Sequence, residues 1–173
     1  MTPAAASGTA DLAGLFRRCH ADLVRMAVFI VGDRPPAEDV VQDVYSRLHT
    51  RHRQQAGELE PLAYVRAAVL NGCRSQLRRR AVAQRFTRST QTLFRQATQE
   101  SAEQEVLRIH ERDQVLAALA TLPVRIREVL VLRYYAGLSE AEIATVLGIS
   151  PGTVKSRAAR GLATLARKLG ESE

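Results

Sequence analysis

Lys155, Ser156, Arg157 and Arg160 follow one another at helical spacing, and no acidic residue interrupts the run from Ser150 to Gly170. Cationic and hydroxyl side chains in this pattern neutralise phosphates and donate to base edges. An ordinary solvated helix mixes charge signs, and this one does not. The four residues lie in LSEAEIATVLGISPGTVKSRAARGLATLARKL, Leu138 to Leu169. That stretch predicts a helix-turn-helix, over residues 139–169, whose second helix enters the major groove of DNA.

The local chemistry supports that prediction. Ser139 is placed to cap a helix whose apolar face is Ile143, Ala144 and Leu147. Gly148 follows where the chain needs a left-handed residue, which costs glycine least. Ser150 caps the next helix, and Pro151 takes the first helical position, where a missing N–H does no harm. Ala144 is small where the helices cross, and Ile149 and Val154 fill the angle between them. Val154, Ala158 and Leu162 form the face opposite the cations, with Thr153 near the helix N-terminus.

Composition bounds the class. The chain has 173 residues and a formal net charge of +7. Such a length builds one ordinary domain or two small ones, and the positive excess favours nucleic acid over membrane as partner. No run approaches the roughly 20 apolar residues of a membrane span, and the N-terminus lacks the pattern of a signal peptide. A cytoplasmic protein with no membrane insertion is expected. Cys19 and Cys73 are the only cysteines, which fits buried thiols in a reducing compartment. His49 and His52 stand three apart and His20 follows Cys19, but no second cluster completes four metal ligands. With no phosphate-binding glycine loop, no G-x-S-x-G and no Cys/His nucleophile arrangement, the sequence predicts no metal, no cofactor and no enzymatic activity.

The periodicity is helical throughout, and no segment alternates long enough to make a strand. The expected fold is all-α, with two small helical domains joined by a flexible linker. Residues 1–10 are expected to be a disordered tail. The first domain spans 11–84, the linker 85–104 and the second domain 105–170. In the first domain, a helix from Asp11 to Val31 buries Leu15, Phe16, Leu23, Met26, Ala27 and Ile30. A second starts at Pro35 and Pro36, with a stripe of Val40, Val41, Val44, Tyr45 and Leu48. After a loop, RQQAGELE, a third opens at Pro61 and points Tyr64, Val65, Ala68, Val69 and Leu77 inward. In the second domain, helices are expected over Val106–Leu122 and Arg127–Tyr135, ahead of the helix-turn-helix.

Charge is segregated along these helices. No Asp or Glu occurs from Pro61 to Gln99, where Arg66, Arg74, Arg78, Arg79, Arg80, Arg85, Arg88 and Arg95 all fall. The second helix instead begins with Glu38, Asp39 and Asp43. Part of that acid complements the helix dipole. The dipole does not explain why Asp39, Gln42 and Asp43 share one face, as i, i+3 and i+4 neighbours do. Two partners of different chemistry are implied.

These segments together resemble a known family. LPVRIREVLVLRYYAGLSEAEIATVLGISPGTVKSRAARGLATL is similar to region 4 of the bacterial sigma factors. GDRPPAEDVVQDVYSRL resembles their region 2.2, and PLAYVRAAVLNGCRSQLRRR their regions 2.3 and 2.4. The likeness runs from about Leu12 to Leu169, with the spacing of the extracytoplasmic-function (ECF) group. It implies that Asp39, Gln42, Asp43 and Arg47 dock on core RNA polymerase. It implies that Asn71, in a loop or helix start after AYVRAAVL, and Ser75 hold a flipped base of the −10 element, with Arg78, Arg79 and Arg80 near the backbone. An Asn amide offers both a donor and an acceptor for such a base edge. Thr153, Lys155, Ser156, Arg157 and Arg160 would read the −35 element, the Ser150–Thr153 turn presenting free N–H groups to a phosphate. The likeness also implies an anti-sigma protein as partner. Three departures stand out: Tyr64 where the family usually has Trp, Leu70 where a basic residue is common, and a linker that starts basic and turns acidic only at Glu100. A dimeric operator-binding regulator is the alternative, but it needs neither the acidic second helix nor the basic third. An RNA reader would carry more stacking aromatics than the 5% present.

Overall fold

The structure is a computed structural model that describes residues 4–54, 62–87 and 114–170. All regular structure among these residues is helical. Helix α1 spans Ala4–Val31, α2 Arg34–Gln54 and α3 Leu62–Thr87. Helix α1 thus begins inside the expected disordered tail. AAASGTA is mostly residues of low helical cost, so it extends a helix already nucleated by its buried half. Helix α2 likewise runs on through Arg53 and Gln54, the start of the expected loop. Residues 85–87 of the expected linker form the last turn of α3; its remainder lies outside the described residues.

The three helices form a bundle around Met26, Ala27, Ile30, Val41, Val44, Val65 and Val69, each nearly or fully removed from water. Leu70 is fully buried too, so its position faces the core and a basic residue there would have to bury its charge. Tyr64 departs from the expected inward stripe. It is 40% exposed, and its hydroxyl accepts a hydrogen bond from Arg51 Nη1 at 2.9 Å, the apolar ring and polar tip being served separately.

Asn71 lies inside continuous helix, not in a loop or at a helix start. Gly72 invites a break there, but the packing makes use of it. A Cβ on Gly72 would sit 2.7 Å from Val40 Cγ1, so the missing side chain lets α2 and α3 approach closely.

The C-terminal bundle comprises α4 over residues 114–121, α5 Val124–Leu130, α6 Glu140–Leu147 and α7 Pro151–Gly170. Residues 106–113 of the expected α4 lie outside the described residues. Helix α5 passes into a π-helical turn, Val131–Tyr135, closed by Ala136 N–H donating to Val131 O at 3.0 Å. The widened turn shifts the phase of the helix face. Tyr134 projects outward at 61% exposure, while the ring of Tyr135 meets Phe29 of α1 with centroids 5.0 Å apart.

Helix α7 is seated on α5 at Gly161. A Cβ there would lie 2.7 Å from Leu130 Cδ1 and 2.8 Å from Ile126 Cγ2. Gly161→Val is therefore expected to destabilise the chain by about 1–3 kcal/mol through overpacking, read as a lower urea midpoint. Gly161→Ala should cost less, because the same clash is partly offset by a helix propensity gain of about 1 kcal/mol. A midpoint unchanged in the valine variant would mean that α7 does not rest on α5 at this residue.

The two bundles share an interface. Helix α3 packs on α6, and α1 packs on α5 and the π turn. Two charged side chains of α5, Arg127 and Glu128, are buried there, 6% and 0% exposed.

Candidate nucleic-acid interface

The helix-turn-helix is built as the sequence predicts. Ser139 and Glu142 form a reciprocal capping box: Glu142 N–H donates to Ser139 Oγ at 3.3 Å, and Ser139 N–H to Glu142 Oε2 at 2.8 Å. The Ser139 hydroxyl, followed by its backbone N–H, holds the Glu142 carboxyl below the usual range. Gly148 closes α6 at φ 63°, and Ile149 N–H returns to Ala144 O at 3.1 Å. Ile143 and Val154 are fully buried in the corner, with Leu147 and Ile149 packed beside them.

The Ser150–Thr153 turn differs from the expectation. Thr153 N–H donates to Ser150 Oγ at 3.2 Å, and the two hydroxyls are 2.9 Å apart. The cap that starts the helix thus consumes the Thr153 N–H expected to meet a phosphate. Further along, Lys155, Ser156 and Arg160 are exposed, whereas Thr153 and Arg157 are half-buried. Arg160 Nε donates to Ser156 O at 3.3 Å, leaving the far end of its guanidinium free to reach outward. Val154 and Ala158 are buried on the opposite face, as expected. Leu162 is 44% exposed, because Gly161 takes the contact with α5 and Leu162 is left at the rim of an apolar groove. That groove, of about 350 Å³, is lined by Phe29, Leu119, Leu130, Tyr134, Leu162 and Leu165 among others.

In the N-terminal bundle, Asp39, Gln42, Asp43 and Arg47 are all exposed on α2, as are Asn71, Arg78, Arg79 and Arg80 on α3; Ser75 is half-buried. A groove of about 710 Å³ runs between the two helices. Asp43 and Arg47 line one wall, and Asn71, Ser75 and Arg79 the other. Gln42 lines a separate hollow with Phe16, His20 and Tyr45. The α3 side chains form a chain of contacts: Arg78 Nη2 donates to Ser75 Oγ at 3.1 Å, and Ser75 Oγ to Asn71 O at 3.1 Å.

Three residues at the interface were not among the sequence candidates. Arg74 clasps Glu128 with two bonds, Nε to Oε1 at 2.5 Å and Nη2 to Oε2 at 2.6 Å, and its Nη1 donates to Asn71 Oδ1 at 2.6 Å. Arg127 donates through Nη1 to Ile30 O and through Nη2 to Ala120 O and Leu122 O at 2.9 and 3.0 Å. Burial draws its pKa below the ordinary arginine value, with Glu128 opposing. The available signal was a charged pair inside the apolar run VRIREVLVL, where helical period puts Glu128 on the face of Val124 and Val131. Beside this network, burial and then Glu128 push the Cys73 thiol up to about 12, an inert thiol at neutral pH. Cys73 is buried as expected; Cys19 is only half-buried. Among the described residues no helix is long and apolar enough to cross a membrane.

Residues 15–91 match the family model of Sigma-70 region 2, and residues 112–165 that of Sigma-70, region 4. The chain is 35% identical over 171 residues to the ECF RNA polymerase sigma factor SigL of Mycobacterium tuberculosis, covering 96% of this chain and 95% of that one. It is 31% identical over 156 residues to SigM of the same species, covering 90% and 76%. Among solved structures, CnrH in complex with the cytosolic domain of CnrY superposes with a TM-score of 0.72 at 25% identity, over 98% of this chain and 94% of that one. The sigma factor RpoE of Bartonella quintana, solved with the anti-sigma factor NepR, shares the fold with a TM-score of 0.70 at 21% identity, over 92% and 97%. With both sigma-70 regions matched in order, and a relative alike over nearly its whole length, the chain belongs to the ECF group of RNA polymerase sigma factors.

Proposed function

We propose that this sigma factor binds core polymerase through α2, engages the −10 element through α3 and reads the −35 element through α7, so that polymerase opens the promoter. The observation that carries this reading is the pairing of two unlike exposed surfaces in one chain. One is the uniformly cationic face of α7 on a well-capped helix-turn-helix. The other is the groove in which acidic α2 faces basic α3. The protein contributes no catalysis, and polymerase makes the phosphodiester bonds. It works in the cytoplasm, where polymerase and promoter are. Run-off transcription with purified core polymerase on a library of random promoters tests the whole reading: transcripts that appear only with the protein present, from templates sharing two spaced elements, are expected. Transcription no different from core alone rejects it.

The polymerase contact has its own test. Asp39 and Asp43 are exposed neighbours on α2, so reversing both to Lys should weaken association with core at least tenfold. Folding should survive, because exposed changes of this kind usually move stability by less than about 0.5 kcal/mol. Unchanged affinity in a polarisation titration removes α2 from the interface. As in the RpoE complex with NepR, an anti-sigma protein is proposed as a further partner. The apolar groove between α4, α5 and α7 is large enough for apolar side chains of such a protein.

A further inference from the structure

We infer that Arg74 is an additional DNA-binding residue of the −10 face, held in reserve by Glu128, so that closure of the two bundles and binding of the −10 strand compete for one guanidinium. The inference rests on the reading of α3 as the −10 face. Asn71, Arg74, Ser75 and Arg78 stand at i, i+3, i+4 and i+7, which is one stripe of a helix. In the closed protein that stripe is spoken for. Arg74 gives two donors to Glu128 and a third to the Asn71 amide oxygen, so the group proposed to meet a base has one of its two acceptor lone pairs engaged.

Promoter geometry requires this clasp to open. Elements labelled −35 and −10 lie about 25 base pairs apart, roughly 85 Å at 3.4 Å per base pair. A compact chain of this length has a radius of gyration of only about 16 Å. Reading both elements at once therefore separates the bundles and parts Arg74 from Glu128. Neither group is then stranded. Arg125 Nη1 already stands 3.9 Å from Glu128 Oε2 and remains with it on α5. A DNA phosphate offers Arg74 the same forked acceptor geometry that the carboxylate gave. Because the two equilibria share Arg74, each biases the other by an equal factor.

The test uses the full chain, a short mixed-sequence single-stranded DNA as probe, and small-angle scattering for compactness. Glu128→Gln should expand the protein and raise affinity for the strand several-fold. Adding Arg74→Gln should abolish that gain and reduce the salt slope of log K by about 0.7, the single-strand value for one phosphate contact. Arg74→Gln alone breaks the clasp from the other side; it should also expand the protein, but with reduced affinity. The exchange Arg74→Glu with Glu128→Arg should restore compactness without restoring affinity. Expansion in Glu128→Gln without an affinity gain, or a salt slope unmoved by Arg74→Gln, overturns the proposal. Asn71→Ala, assayed by permanganate footprinting of the promoter bubble, tells the two failures apart. If it loses opening while Arg74→Gln leaves the slope intact, only Arg74's role falls. If neither has any effect, the reading of α3 falls as well.

Discussion

Replacing Arg127 with methionine is expected to destabilise the folded protein by about 3 kcal/mol, because hydrogen bonds from a charged donor contribute about 1.5–3 kcal/mol each. The side chain is only 6% exposed and donates to three carbonyls, Ile30 O, Ala120 O and Leu122 O. Two of these belong to the end of α4 and the turn into α5, and the third to the last turn of α1. Methionine fills much of the same volume, so the loss comes from the orphaned acceptors. The sum of three bonds overstates it, since removing the guanidinium also removes its desolvation cost, visible as the downward pKa shift. Lysine should not rescue, because one ammonium cannot serve carbonyls spread around a planar fork. Equilibrium urea unfolding monitored by circular dichroism measures the effect. A loss below about 1 kcal/mol, the net value of a single ordinary hydrogen bond, would show that Arg127 does not staple the bundles.

Arg127 also marks where sequence reading reached its limit. Local signals were legible because one or two neighbours decide them: the Ser139 cap, Gly148 and the Ser150–Pro151 start each follow from adjacent residues. The apolar stripes of α1 and α2 were legible for the same reason, a period of 3.6 repeated over many turns. Boundaries were harder. No proline stands between Ala4 and Asp11 or at Arg85, and alanine carries α1 past Gly8, so both helices run on beyond their expected ends. The interface between bundles was invisible, since Arg74 and Glu128 are 54 positions apart in |i−j| and each looks alone like a solvated charge. The place of Asn71 inside continuous helix was hidden for a related reason: the close approach of α2 at the neighbouring Gly72 is set by Val40 on another helix.

Alanine substitution along α7 is expected to divide its cations into readers and anchors. From Thr153 to Arg160 the helix rises about 10 Å at 1.5 Å per residue, a span of about three base pairs. The groove therefore has room for a few base contacts, and the remaining side chains must go to phosphates. Lys155 and Ser156 are exposed at the start of that span, Arg157 is half-buried, and Arg160 is tethered through Nε to Ser156 O. At least one of Lys155, Ser156 and Arg157 should set −35 preference, with Arg160 divided between base and backbone. Loss of a base reader should cost about 1–3 kcal/mol and relax preference at one position, whereas loss of a phosphate anchor should weaken all duplexes alike and lower the salt slope by about 1. Thr153 belongs to neither class on present geometry. Its hydroxyl and N–H are both turned to Ser150, so Thr153→Ala should act through the helix start and leave sequence preference alone. Titration of each variant against a panel of −35 duplexes at several salt concentrations separates these behaviours. If Lys155, Ser156, Arg157 and Arg160 variants all bind every duplex as the parent does, α7 does not enter the groove.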